Sequence, residues 1–506
     1  MVLCKKNLPD ISADSVVKPA EKIFGLPEKI LQFGTGVLLR GLVDYFVDKA
    51  NNQGIFNGRV VVVKSTDKGD TDSFENQDGL FTICVRGIEN GRQINQKTIN
   101  ASISRVLSAK QQWNEILKCA AQPDLKIIVS NTTEVGISLN PDDNILDSPP
   151  ASFPAKLLAF LHARYTALGN NKESGMVIIP TELIPGNGNA LRNICIELAR
   201  INKLDRDFIQ WLSKKNDFCN SLVDRIVPGK LAEKERLLVE QETGYQDELM
   251  IMAEPYRLWA IETSDELTKE RLSFSPADEG IVVAPDINKF RELKLRLLNG
   301  SHTFSCGLAV LSGFTTVKEA MANKSFNDYI SVLLYNEIVP AIVDNDLKLN
   351  DARTFAQKVL DRYRNPFIDH HWLSITLQYT SKMRMRNVPI LLKHYEKNST
   401  APGFMSFGFA AYLLFMKGDR RYVKTDNEHY ITDDKAIRIQ QKWEGGDVEK
   451  LVNSVLSDSD LWGTDLSLLP GFAITVISNL HEIMDKGILR MTEKIVKGNG
   501  DFYQKT

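Results

Sequence analysis

The sequence predicts an α/β fold in two parts, a doubly wound parallel sheet domain followed by a mostly α-helical domain. Three observations carry this expectation. Short, continuously apolar runs alternate with stretches of helical periodicity through the first half. Beyond about residue 286 the strand signals fade and long helical periodicity takes over. A chain of 506 residues also exceeds what one hydrophobic core usually spans. The expected domains are 1–280, built on the sheet, and 281–506, mostly helical, with a linker near 273–285 (SFSPADEGIVVAP).

The elements follow in order. Residues 29–33 (KILQF), 59–63 (RVVVV), 126–129 (KIIV) and 176–179 (MVII) are apolar enough to be buried on both faces, as parallel strands covered by helices are. Residues 37–49 and 154–168 carry helical spacing between them. Residues 70–100 are Gly- and Asn-rich with short alternating runs (GLFTICVRG), the pattern of an inserted antiparallel element. In the second half, helices are expected at 289–298, 318–323, 326–347, 352–362, 372–380 and 389–397. The most apolar stretch, 404–416, holds Ser406 and Gly408 and stops at Lys417. It falls short of the ~20 residues a membrane span needs and is expected as a buried core helix.

Composition narrows the function classes. A net charge of -2 with scattered basic residues gives no electrostatic footprint for nucleic acid or an anionic membrane. The N-terminal MVLCKKNLPD lacks the apolar core of a signal peptide. The six cysteines include no C-x-x-C pair, which argues against a disulfide framework and fits a reducing cytoplasm. His370 and His371 are adjacent and lack metal-ligand spacing, so no catalytic metal is expected. Oligomeric state is left open by these features.

Residues 30–40 (ILQFGTGVLLR) read as a strand, a G-x-G turn and a helix. The first glycine permits the sharp turn, the second lets the backbone approach a pyrophosphate, and the helix start offers free N–H groups to the anion. Phe33, Gly34, Thr35 and Gly36 are thus candidate cofactor contacts in a Rossmann-like domain, although Leu39 stands where the third glycine of the fingerprint usually falls. Asn131 and Thr132, after the 126–129 strand, are further candidates, because open α/β sheets bind ligands beyond their strands' carboxyl ends. At the end of the second strand, Lys64 and Asp67 point in opposite directions for a ribose 2′-phosphate and a ribose hydroxyl.

The segment 294–302 (KLRLLNGSH) combines Lys294, Asn299 and His302. On an α-helix Asn299 falls about 140° and His302 about 80° from Lys294, so the three can line one side of a cleft. Ketone reduction needs a proton donor at the carbonyl oxygen and dipoles that stabilise negative charge on it. A lysine whose pKa is lowered by burial or neighbouring charge can supply the proton, and asparagine and histidine can supply the dipoles.

K-x4-N-x2-H resembles the signature of the long-chain polyol (mannitol) dehydrogenase family, as do NSLVDRIVP (220–228) and RYRNP (362–366). The resemblance spans nearly the whole chain. It implies a Rossmann domain, a helical second domain, NAD (NADH) as cofactor, no metal, and Lys294 as general acid and base, with Asn299 and His302 on the reacting oxygen. SNTTEVGIS (130–138), PTELIPGNGNALR (180–192), FIQWL (208–212) and RYRNPFIDHHWLSI (362–375) look closer to a branch that interconverts keto sugar acids and their alcohols.

Mannitol-type members commonly carry C-D-N where this chain has Thr181-Glu182-Leu183. Leu183 would thus replace an asparagine of the oxyanion site, with Asn187 as a substitute. A sugar acid's carboxylate calls for a cation, and Arg362, Arg364, Lys382, Arg384 and Arg386 are the candidates, while Asp224 is expected to orient groups nearby. The alternatives are a sister activity on another keto sugar acid or a neutral polyol, and a non-catalytic nucleotide sensor on the same scaffold.

Overall fold

The structure is a computed structural model that describes residues 1–12, 14–65, 71–132, 136–421, 423 and 430–498. Contacts divide the chain into two compact units, Met1–Arg86 with Gln93–Ile287, and Gly87–Arg92 with Asn288–Thr506.

The first unit is built on β1 (Glu28–Phe33), β2 (Arg59–Lys64), β3 (Phe81–Glu89), β4 (Arg92–Asn100), β5 (Ile103–Ser108), β6 (Ile127–Ser130), β7 (Val177–Pro180), β8 (Asp217–Phe218), β9 (Ser221–Asp224), β10 (Ile251–Ala253), β11 (Leu258–Glu262) and β12 (Ile281–Ala284). Six of these form a parallel sheet in the order β5-β2-β1-β6-β7-β8. The order reverses at β1/β6, so crossovers leave in opposite directions and open a crevice beyond the carboxyl ends of those two strands. Alternate strand residues enter opposite cores. Ile30, Val60, Val62 and Val129 pack with Val43, Phe46 and Val47 of helix Val43–Asn52, while Leu31, Phe33, Val61 and Ile128 pack with helices Phe153–Leu168 and Asn187–Ile201. This two-sided burial is why the strands read as unbroken apolar runs.

The Gly- and Asn-rich insertion is β3 and β4, joined by a tight turn in which Asn90 and Gly91 take φ of 52° and 73°. Positive φ at both central residues matches the right-handed twist of a hairpin. β10 adds to this pair, and β9, β11 and β12 form a third small sheet. β12 belongs to the first unit because it is paired with β11, Trp259 to Ile281 onward.

The second unit is helical. Helix Gly403–Met416 has every residue from Phe404 to Met416 buried and packs against helices Ser301–Leu311 and Phe472–Lys486. A Cβ at Gly408 would lie 2.6 Å from Phe304 O, so glycine is what lets two of these helices touch backbone to backbone. Four helices expected as continuous are interrupted. The 372–380 helix is Trp372–Ile375 and Tyr379–Lys382, parted by a turn at 376–378. The 37–49 helix breaks at Leu42 into Val37–Gly41 and Val43–Asn52. The 326–347 helix is Lys324–Val332, a π-helix Leu333–Ile338, and Val339–Ile342. The 289–298 helix is Asn288–Leu293 followed by a π-helix, Lys294–Gly300. Hydrophobic period locates a helix but is nearly blind to one extra residue in a turn. Among the described residues no helix is long and apolar enough to cross a membrane.

Candidate active site

The glycine turn follows β1 at the point where the sheet order reverses. Gly34 sits at φ 128°, with its N–H donating to Val63 O at 3.0 Å, and a Cβ there would lie 3.1 Å from Leu39 Cδ1 and 3.3 Å from Asn131 O. Both the dihedral and the crowding require glycine. At Gly36 a Cβ would meet none of the described atoms within 4 Å, so the backbone there faces open space. A further glycine, Gly41 on the helix that follows, is fixed by close packing on the loop after β9. A Cβ on Gly41 would lie 2.8 Å from Val227 Cγ2. The sequence reading missed Gly41 because it stands two positions beyond the usual spacing. It also missed Gln32, whose Nε2 donates to Gly34 O and to Asp44 Oδ2, both at 3.2 Å. Burial pushes the Asp44 carboxyl up to about 7 despite the nearby Arg40 guanidinium.

Beyond β6 and β7, Glu182 ties the two strand ends together. Its carboxylate accepts from Ser130 Oγ (3.2 Å), Thr132 N (2.8 Å) and Thr132 Oγ1 (2.9 Å). Asn131 Nδ2 donates to Thr181 Oγ1 at 2.9 Å. Asn131 and Thr132 thus lie at the crevice edge on a braced loop. Thr133 to Val135, like Thr66 and Asp67, lie outside the described residues, while Lys64 is buried at the end of β2.

Asn187 was expected to stand in for a missing asparagine donor, and the structure gives it a different job. It is fully buried. Its Nδ2 donates to Pro180 O, Glu182 O and Ser221 O at 3.0–3.1 Å, and its Oδ1 accepts from Gly188 N and Ser221 N. Every hydrogen-bonding site of that amide is committed to backbone. Leu183, by contrast, is exposed. Asp224 is buried on β9, opposite Leu258.

In the second unit Lys294 opens the π-helix, Asn299 is its sixth residue, and His302 lies in the first turn of the following α-helix. A π-turn hydrogen-bonds residues five apart, so Lys294 and Asn299 nearly superpose along the axis. Asn299 and His302, three apart across the return to α-geometry, then stay on that face. The wide angle given by a uniform α-helix is thereby corrected: one extra residue in the turn brings the trio into line. Lys294 and Asn299 are half-buried, and the Asn299 side-chain amide has no hydrogen-bond partner among the described residues.

The turn is held from outside. Tyr363 Oη donates to Leu298 O and shares a 2.8 Å hydrogen bond with Ser301 Oγ. Asn387 presents Nδ2 to Gly300 O at 3.2 Å and Oδ1 to Phe304 N at 3.1 Å. A Cβ at Gly300 would lie 2.8 Å from Ile390 Cδ1, which explains the glycine in the motif.

His302 stacks on Tyr363 with ring centroids 4.1 Å apart and meets His370 edge-on at 5.2 Å. It is buried, its Nε2 has no partner among the described residues, and its pKa is held well below the ordinary value by burial first and then by His370, Arg362, Arg386 and Lys382. It is therefore a neutral imidazole with one polar atom unused in a cationic setting. Lys382 Nζ donates to Ile375 O (2.8 Å) and Arg386 Nη1 to Thr303 Oγ1 (3.2 Å). Neither makes an ion pair among the described residues, and burial lowers both pKa values. Arg364 is occupied elsewhere, donating from Nε to Asn327 Oδ1 at 2.9 Å, and Arg384 is exposed and bonds Asp460 O. Among the described residues no group of three or more His, Cys, Asp or Glu side chains is arranged to hold a metal.

A glycine turn at the reversal point of a doubly wound sheet, with a helical unit that presents lysine, asparagine and a neutral histidine together, defines a dehydrogenase of CH–OH groups. The chain matches the mannitol dehydrogenase Rossmann domain over residues 28–273 and the mannitol dehydrogenase C-terminal domain over 286–484, and it belongs to the mannitol dehydrogenase family. It is a polyol or sugar-acid dehydrogenase. Among its relatives, altronate oxidoreductase of Bacillus subtilis (strain 168) is 36% identical over 479 residues, 94% of this chain and 96% of the relative. That of Yersinia enterocolitica is 36% identical over 471 residues, 91% of this chain and 95% of the relative. The fold is shared with Pseudomonas fluorescens mannitol 2-dehydrogenase, solved with NAD and D-mannitol, at a TM-score of 0.67 and 22% identity, covering 98% of this chain and 100% of that one. A D-sorbitol dehydrogenase aligns at a TM-score of 0.78 and 20% identity, covering 96% of this chain and 99% of the other.

Proposed function

We propose that this chain is a metal-independent, NAD(H)-dependent cytoplasmic enzyme that interconverts the keto sugar acid tagaturonate and its alcohol altronate. The observation that carries the choice of a sugar acid is the pair Lys382 and Arg386, two partly buried cations without an ion pair among the described residues. Placing like charges together out of water is costly unless an anion completes the site. A neutral polyol offers none, and a carboxylate does. The curated relatives named altronate oxidoreductase support the same choice.

The Gly34 turn, with Phe33, Thr35, Gly36, Asn131 and Thr132, fits a dinucleotide: Gly34 is sterically obligatory and Gly36 leaves the backbone open to a phosphate. When bound, the nicotinamide supplies or takes the hydride at the reacting carbon. Lys294 gives a proton to the carbonyl oxygen in reduction and, as a neutral amine, takes it from the hydroxyl in oxidation. Asn299 and the unused Nε2 of His302 donate to that oxygen as negative charge develops. These side chains provide the proton and the dipoles, so no step is assigned to a metal. Arg362, Lys382 and Arg386 receive the carboxylate, and Asp224 orients groups nearby. Asn187 and Arg364 are assigned to the scaffold.

The test is a panel of tagaturonate, fructuronate and the neutral ketoses of mannitol and arabinitol, each with NADH. Tagaturonate is expected to have the highest kcat/KM. Equal activity on a neutral ketose refutes carboxylate recognition, a fructuronate preference reassigns the substrate, and silence throughout favours a nucleotide-sensing protein. Lys294→Ala is expected to abolish turnover with NADH affinity close to wild type. Wild-type turnover in that variant removes the lysine from the mechanism.

A further inference from the structure

The two π-turns, Lys294–Gly300 and Met383–Asn387, are fastened to each other by three separate ties. Arg296 of the first donates from Nη1 to Met385 O (2.8 Å) and Arg386 O (3.0 Å) of the second. Asn387 of the second holds Gly300 O and Phe304 N at the end of the first. Arg386 donates from Nη1 to Thr303 Oγ1 at 3.2 Å, and Thr303 Oγ1 donates to Asn299 O at 2.7 Å. A π-turn displaces backbone groups from their α-helical partners. Here each turn supplies side chains that take up the groups released by the other.

Arg386 occupies a special place in this clasp. A guanidinium carries five N–H donors, and one tie to Thr303 leaves a planar edge that matches a carboxylate bidentately. No carboxylate of the described residues fills that edge. Thr303 is fully buried and Arg386 and Asn299 are half-buried, so the chain Arg386 to Thr303 to Asn299 O is shielded at its centre, where linked hydrogen bonds reinforce one another.

We infer that Arg386 reads the carboxylate of the substrate and, through Thr303, sets the turn that presents Asn299 to the reacting oxygen. This rests on the sugar-acid reading above and adds a specific consequence. Recognition of the remote carboxylate is spent on aligning the site, so it appears in kcat as well as in KM. Arg386 is then a specificity-determining contact, and Thr303 a positioning residue that touches no substrate.

The experiment uses the full-length enzyme with wild type, Thr303→Val, Thr303→Ser, Arg386→Gln and Arg386→Lys. It reads kcat and KM for tagaturonate at saturating NADH, and the thermal shift produced by altronate. Thr303→Val breaks the chain but leaves the guanidinium, so a fall of about tenfold in kcat is expected, with KM and the altronate shift within twofold of wild type. Thr303→Ser, which restores the hydroxyl, is expected to recover most of kcat. Arg386→Gln is expected to lose the altronate shift and to fall in both parameters. Arg386→Lys keeps charge without the planar fork and is expected to recover part of the shift but little of kcat. Wild-type kcat in Thr303→Val overturns the inference, as does an undiminished altronate shift in Arg386→Gln. Equal defects in Thr303→Val and Thr303→Ser reduce Thr303 to packing and also overturn it. If wild type itself reduces no sugar acid, the functional reading fails instead, and that outcome is separately visible.

Discussion

Gly36→Ala separates cofactor recognition from folding. Gly36 has φ -61° and ψ 153°, which alanine adopts freely, and its Cβ would touch nothing described within 4 Å. The gain from a stiffer unfolded chain, ~0.4–1 kcal/mol, is offset by the poorer helix cap that alanine makes. Net stability should therefore stay within about 0.5 kcal/mol of wild type. The new methyl group, however, stands where the backbone must approach a pyrophosphate. Loss of one charge-assisted backbone hydrogen bond, worth ~1.5–3 kcal/mol, weakens NADH binding by roughly 10- to 100-fold. Gly34→Ala is the contrasting variant. Its φ of 128° and its contacts of 3.1 and 3.3 Å predict strain on the order of 1–3 kcal/mol in the folded protein before any ligand is added. Urea denaturation of the two apo variants and titration of each with NADH, followed by tryptophan fluorescence, give both quantities. Wild-type NADH affinity in Gly36→Ala would show that the turn does not hold the dinucleotide, and the assignment of residues 33–36 would fall with it.

Further outcomes are expected elsewhere. Gly41→Ala, with its methyl 2.8 Å from Val227 Cγ2, must open the contact between the helix and the loop after β9 by several tenths of an ångström and lose ~1–3 kcal/mol, and Val227→Ala should return much of it. Simple additivity of the two changes in urea midpoints would refute the close-packing role. Asn187→Ala strands buried backbone groups of residues 180, 182 and 221 and should lose ~2–4 kcal/mol, while the folded fraction keeps its kcat. A stable but slow variant would return Asn187 to the oxyanion site. Glu337 is buried, accepting from the N–H groups of Phe404 (2.8 Å) and Met405 (2.7 Å), and burial raises its carboxyl from 4.5 to about 7. The folded protein holds this proton while the unfolded chain releases it, so the contribution is complete below about pH 4.5 and is lost as pH rises to about 7. Glu337→Gln cannot ionise, and its Tm relative to wild type should improve between pH 5 and pH 8. A pH-independent difference would contradict this.

Much of the fold was legible in the chain because it rests on local periodicity. Four apolar runs became the central strands, and the segment 404–416 became a buried core helix. β5 (ISRVLS) went unnoticed because its polar residues interrupt the run, the two-residue β8 escaped for want of length, and β9 (SLVD) and β11 (LWAIE) were not read as strands. The candidate site was legible as residue types: lysine, asparagine and histidine in one segment, and a glycine pair after a strand. The geometry of these residues was not.

The residues alone indicated the four central strands, the helical second half and the chemical inventory, since side-chain period and residue type are properties of short stretches. Only the folded chain decided that 294–300 winds as a π-turn, that Asn187 is a buried brace, and that Gly41 packs tightly on Val227. Each depends on partners far away in sequence: Asn387 and Arg386 for the turn, Ser221 for the brace, Val227 for the glycine. One residue more or less per turn changes local propensity by little. Packing and the need to satisfy buried polar groups make the choice, and with it the direction in which Asn299 points.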